Sequence, residues 1–320
     1  MIELGDLPPE LRRAVLRLAQ QHRISIEGLD RIGTRFVVYR VRYRGKLAAW
    51  KILLHANDSF SKQRLLLEAE LLRFIHTTRL RHLRQAVPAY YASGSGTFPW
   101  YIREYIVGTA ATPKNSDRGF RRGFLTDATL QQYVHIIEDL QSIRPAMLPA
   151  ALRRRFSFYD TLGDKLKFLR AHQRVLQSAL GADAVRRQLS WLQSQAPMYD
   201  GVKNVLTHHE FFSQHFFLVR GQLRIIDWES ITWATPARDW VTLWMQSHQF
   251  PAWQVRLKRA AVTNLRQYLP DSAEDLWDVT VLWNALYVIA SATGPHTQDP
   301  QTTFARSIIR RLNERPVLRR

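Results

Sequence analysis

Leu206-Thr-His-His-Glu210-Phe-Phe-Ser-Gln-His215-Phe-Phe-Leu-Val-Arg-Gly-Gln-Leu-Arg-Ile-Ile-Asp227-Trp-Glu229 is the stretch whose reading decides the fold. Phe216 to Val219 predicts a short apolar strand, Arg220-Gly221-Gln222 a turn, and Leu223 to Ile226 a second apolar strand. A hairpin of that size returns the chain to its starting end. Asp227 is therefore expected beside His215, with Glu210 upstream on the entering loop. Two carboxylates and an imidazole gathered at a hairpin mouth predict a metal or proton-transfer site.

The same residues resemble the catalytic core of the aminoglycoside phosphotransferase and choline kinase group, in the protein-kinase-like superfamily. The family pattern is His-Gly-Asp, four residues, Asn, a hairpin, Ile-Asp-Trp-Glu or Ile-Asp-Phe, and a later Pro-x-x-Asp. Here those positions read His208-His209-Glu210, His215, Ile226-Asp227-Trp228-Glu229 and Pro236-Ala237-Arg238-Asp239. Glu210 stands where the family has its catalytic Asp, and His215 where it has a metal-binding Asn.

The resemblance implies an α+β, two-lobed protein-kinase-like fold. A β-rich nucleotide-binding lobe with a leading helix would occupy residues 1–105. A larger helical lobe with catalytic loop and acceptor pocket would occupy 106–320. The implied activity is ATP-dependent phosphoryl transfer to a hydroxyl of a small-molecule, sugar or lipid-linked acceptor, with ATP and Mg²⁺ as cofactors. The two altered letters keep open a pseudokinase that binds nucleotide or a partner without efficient transfer.

The resemblance assigns roles position by position. Lys51 would hold phosphates and Glu68 would fix its ammonium, with Glu70 as the competing partner; apolar neighbours one helical turn on favour Glu68. Gly33 keeps one glycine of the phosphate-covering loop. Glu104 and Ile106 would offer backbone groups to an adenine edge. Asp227 would bind the metal, Asp239 would brace the catalytic loop, and Glu210 would orient or deprotonate the acceptor. His215 would be the second metal ligand; imidazole there favours Mn²⁺ over Mg²⁺. A zinc cluster of His208, His209, Glu210 and His215 is the competing reading, though the spacing matches no zinc signature.

Working outward, Pro8-Pro9 opens an amphipathic helix carrying Leu11, Ala14, Val15, Leu18 and Ala19. Strands are expected from about Ile24 to Leu54, turning at Arg44-Gly45, and again at Ala89–Ala92 and Trp100–Ile106 around Gly94-Ser95-Gly96. A helix is expected over Ser61–His76. Further helices are expected at Asp127–Ser142, Leu162–Ser178, Ala182–Gln195, Asp239–Gln249, Trp253–Tyr268, Ser272–Ala292 and Thr302–Asn313. Asp271-x-x-Glu274 resembles a helix-start cap.

With 46% hydrophobic and 23% charged residues, 320 residues describe an ordinary globular chain. No cysteine is present, which excludes disulfides and thiolate metal sites. Met1-Ile-Glu-Leu-Gly-Asp lacks the basic start and apolar run of a secretory signal, so a cytoplasmic setting is expected. The formal charge of +19 suits an anionic sugar or lipid acceptor, or peripheral contact with an anionic membrane surface through the basic last helix. A basic nucleic-acid or membrane module is the third reading. The arginines are dispersed, and no specific nucleic-acid motif is present.

Overall fold

Two Arg-Gly dipeptides set the tightest turns. At Arg44 (φ 51°) and Gly45 (φ 76°) the backbone is left-handed at both positions, and Tyr43 pairs with Lys46 across the turn. The same occurs at Arg220 (φ 51°) and Gly221 (φ 78°), where Val219 pairs with Gln222. Two successive positive φ values define the two-residue turn whose twist suits flanking strands. The second hairpin thus has strands Phe216–Val219 and Gln222–Ile225. The expected three-residue turn is shortened by one residue, because Gln222 joins the ladder.

The computed structural model describes residues 7–113, 119–155, 160–292 and 299–313. Of the dispersed arginines, Arg118, Arg319 and Arg320 lie outside the described residues. So do Met1 to Asp6. The chain forms two compact units: Met1–Thr109 with Pro145–Arg155 and Phe216–Ser230, and Ala110–Arg144 with Phe156–His215 and Ile231–Arg320.

In the first unit α1 (Pro9–His22) precedes β1 (Ile24–Ile32), β2 (Phe36–Tyr43) and β3 (Lys46–Leu53). Next come α2 (Ser59–Thr77), a short helix at Arg81–Ala86, β4 (Tyr90–Gly94) and β5 (Trp100–Glu104). The sheet is antiparallel in the order β1-β2-β3-β5-β4. Alternation in β2 sends Val37, Tyr39 and Val41 inward, where they pack with Trp50, Ile52, Trp100 and Ile102 against Leu11 and Val15 of α1. Indole rings Trp50 and Trp100 meet edge to face at 6.2 Å.

The second unit is mainly helical. Long helices lie at Asp127–Ser142, Ala182–Ser194, Pro251–Leu265 and Ala273–Ser291, close to expectation. The helix expected across Leu162–Ser178 is two helices, Leu162–Ala171 and Gln173–Leu180. His172 leaves helical geometry (ψ 16°), its Nδ1 reaches the Phe168 carbonyl at 2.9 Å, and its ring lies 4.2 Å from that of Phe168. The local side-chain bond outcompetes helix continuation. The cap expected from Asp271 and Glu274 is also not made; Ser272 starts that helix without a side-chain cap. Burial of its apolar length stabilises it instead. Among the described residues no helix is long and apolar enough to cross a membrane.

Candidate active site

The first unit gathers four charged side chains. Lys51 lies in β3 between fully buried Trp50 and Ile52, beside Tyr101 of β5. Its Nζ donates to Glu68 Oε2 at 2.9 Å, Asp227 Oδ1 at 2.9 Å and Glu229 Oε2 at 2.6 Å. Lys51 is 7% exposed and Glu68 1%. Glu68 Oε1 accepts from the Trp228 amide at 3.0 Å, so one carboxylate on α2 grips both the lysine and the loop after the hairpin. Glu68, not Glu70, is the partner of Lys51. Asp227 holds φ 66°, a left-handed conformation that these neighbours stabilise.

Glu229 is a functional side chain to which the motif pattern assigns no role. It is 2% exposed, and Arg35 pairs with its Oε1 at 2.5 Å while Arg64 donates to its carbonyl at 2.9 Å. The available signal was a second acid two residues past Asp227 in an otherwise apolar run. Burial foremost raises the Glu229 pKa; the Lys51 charge opposes this, while Asp227 and Glu68 add to it. For Lys51, burial works to lower the pKa, yet the charges of Asp227, Glu68, Tyr101 and Glu229 hold it well above the usual value. Glu68, Asp227 and Glu229 bring carboxylate oxygens, the hard donors that Mg²⁺ takes, within 4.8 Å of one another, with Lys51 Nζ at their centre.

The other expected nucleotide contacts are less committed. Gly33 closes the β1–β2 turn through its N–H to the Phe36 carbonyl at 2.9 Å. The Glu104 carboxylate is bound by Arg224 at 2.5 and 3.1 Å and by the Ala89 amide at 3.1 Å, which braces β5 against the hairpin. Ile106 follows β5 and is half-buried.

The second unit holds the other altered segment. Asp239 accepts from the amides of His208 (2.8 Å) and His209 (2.9 Å), one on each oxygen. This pins His209 at φ 71°. Asp239 is fully enclosed, and burial pushes its pKa up to about 6 although both amides and Arg238 pull it down. Glu210 is half-buried, and its carbonyl receives His215 Nδ1 at 2.9 Å. A carbonyl can only accept, so His215 carries its proton on Nδ1. Its Nε2 lies 3.3 Å from Gln214 Nε2. His208 packs on Phe211 at 5.4 Å. Among the described residues neither His208 nor His209 joins a group able to hold a metal, which removes the four-residue zinc cluster.

The model of the phosphotransferase enzyme family matches residues 11–278. The chain belongs to that family. Solved structures agree on the fold. The ADP-bound aminoglycoside phosphotransferase APH(2'')-Ib is similar over 94% of this chain and 96% of its own, at 13% identity and TM-score 0.62. A GDP complex of aminoglycoside 2'-phosphotransferase-IIIa covers 96% and 99%, at 16% and 0.61. Spectinomycin phosphotransferase APH(9)-Ia, with ADP and spectinomycin, covers 95% and 94%, at 13% and 0.54. No curated protein matches the chain in sequence.

This family member also carries a cavity of about 410 Å³ within the second unit. Phe212 and Gln214, from the loop between Glu210 and His215, form part of its wall. Arg238, Gln246, Asn284 and Tyr287 form much of the rest. The volume falls within the usual range for small-ligand sites.

Proposed function

We propose that this chain is an ATP-dependent phosphotransferase acting on a hydroxyl of a small molecule. The observation that carries the reading is the Lys51 ammonium, fixed by Glu68 and Asp227 in a buried position. With Glu68 holding the ammonium in place, Lys51 would exchange one carboxylate partner for a phosphate oxygen, and a positioned cation there is where phosphoryl transfer gains most. Lys51 and Glu68 would position the phosphates, with Gly33 over them and the Glu104 and Ile106 backbones at the base. Asp227 would hold Mg²⁺, with Glu229 as the adjacent oxygen donor and His215 Nε2 as a further ligand that favours Mn²⁺. The ion would neutralise charge on the phosphates. Glu210 would orient the acceptor hydroxyl and take its proton. The lobe boundary near residue 105 and a cytoplasmic setting belong to the same proposal.

A second reading has its own support. Lys51 already satisfies three carboxylates, and both Glu210 and His215 depart from the family letters, as a nucleotide-binding pseudokinase would. Phosphoryl transfer from ATP is to be assayed with Mg²⁺ and with Mn²⁺, beside thermal stabilisation by ADP. Turnover lost in Asp227→Ala supports the enzyme. Stabilisation without turnover supports the pseudokinase, and a chain indifferent to nucleotide refutes both.

A further inference from the structure

The cavity of the second unit contains an arginine without an acid. Arg238 is 8% exposed, and its Nη1 donates to Asn284 Oδ1 at 3.2 Å. Its Nε has no hydrogen-bond partner, and among the described residues no carboxylate lies within ion-pair distance of it. The adjacent Asp239 has both oxygens bound by the amides of His208 and His209. Asp299, the acid on the cavity wall, accepts from the Thr302 amide at 2.6 Å, at the start of the Pro300–Asn313 helix. Lys165, whose pKa burial lowers to about 8 with Arg238 contributing, is paired with Asp160. The field around Arg238 therefore contains a second cation, while the adjacent Asp239 and the wall acid Asp299 already accept backbone amides.

A buried guanidinium left with one amide oxygen is costly. Its planar fork suits two oxygens of a carboxylate or phosphate. We infer that Arg238 receives an anionic group of the acceptor, so that the preferred acceptor is a hydroxylated acid rather than a polyamine. The inference rests on the phosphotransferase reading, because the same cavity is walled by Phe212 and Gln214 of the loop bearing Glu210. The anionic group engages Arg238, while the hydroxyl-bearing body lies against the Phe212 and Gln214 wall. A cationic substrate would place like charges together in a poorly solvated space, which disfavours it.

The test is binding rather than turnover. Calorimetric titration with inorganic phosphate, glucuronate, glucose 6-phosphate, glucose and glucosamine is run with the cavity intact and in Asn284→Asp. That substitution keeps the side-chain shape and gives Arg238 an internal carboxylate. Both proteins are measured with and without saturating ADP. Expected results are saturable binding of the anions, tighter than glucose or glucosamine, and roughly ten- to hundredfold weakening in Asn284→Asp, the range for a hydrogen bond to a charged group. Arg238→Gln is expected to do the same, its folding checked by ADP stabilisation. The inference is overturned by glucosamine binding more tightly than glucuronate, by anion affinity unchanged in Asn284→Asp, or by no saturable anion binding at all. Glucuronate without glucose 6-phosphate, or the reverse, selects carboxylate or phosphate as the group read. If ADP does not bind, the nucleotide reading fails while the anion titrations without ADP still decide the cavity.

Discussion

The loop bearing Asp227 in the first unit and the loop bearing Glu210 in the second are held by different physics. The first is fixed by ion pairs: one lysine satisfies three carboxylates, and Glu68 also binds the Trp228 amide. The second is fixed by one buried carboxylate, Asp239, that accepts two backbone amides. Each loop holds one non-glycine residue in left-handed geometry, Asp227 or His209. The contrast shows where sequence change is tolerated. In the first loop the gripping side chains are themselves the proposed phosphate and metal groups, so a changed letter would lose both. In the second Asp239 grips the backbone, so Glu210 can replace another letter without releasing the loop, while His215 adds a bond of its own to the Glu210 carbonyl.

The sharpest way to break that comparison is Lys51→Met. It leaves Glu68, Asp227 and Glu229 without their shared cation, and a loss of about 3–5 kcal/mol is expected in denaturant melts, together with loss of ADP stabilisation. A melt close to wild type would show that the ion cluster does not hold the loop. Glu210→Gln is expected to leave the melt nearly unchanged while lowering phosphoryl transfer by roughly 10²–10⁴. Equal activity in that variant would remove Glu210 from the chemistry.

Asp239 sharpens the second half. Its folded pKa of about 6 exceeds the ordinary carboxylate value, so folding takes up a proton between the two. Its contribution is greatest at low pH and is lost as pH rises toward about 6, at no more than about 1.4 kcal/mol per pH unit. Asp239→Asn is expected to flatten that slope and to reduce hydrogen-exchange protection at His208 and His209. An unchanged slope would place the titration elsewhere. The smallest effect belongs to the turns: Gly221→Ala and Gly45→Ala each force alanine into φ near +77°, and each should cost about 1–2 kcal/mol in the melt. A neutral result at Gly221 alone would mean that its hairpin is held by Arg224 and Glu104 rather than by its turn.

Much of the fold was legible in local pattern. Period-two alternation in Phe36–Tyr43, the Arg-Gly turns and the apolar stripe of Leu11 and Val15 each depend on near neighbours. The break at His172 was not legible, because it depends on a ring contact with Phe168 that competes with helix propensity. Glu68 was distinguishable from Glu70 because helical periodicity says which acid lies on the apolar face.

The chain's letters alone carry the β-rich beginning, the helical remainder and the order of motifs, since backbone propensity and residue spacing are local properties, while Lys51, Glu68, Asp227 and Asp239 stand out through the family resemblance of those motifs. Tertiary contacts, in contrast, settle that Glu229 joins the lysine, that His215 Nδ1 binds the Glu210 carbonyl, and that Arg238 lines a cavity with Asn284 as its hydrogen-bond partner. Those outcomes depend on which charges and ring nitrogens meet after burial. Burial sets both the desolvation cost and the partners available, and neither is written in the spacing of residues along the chain.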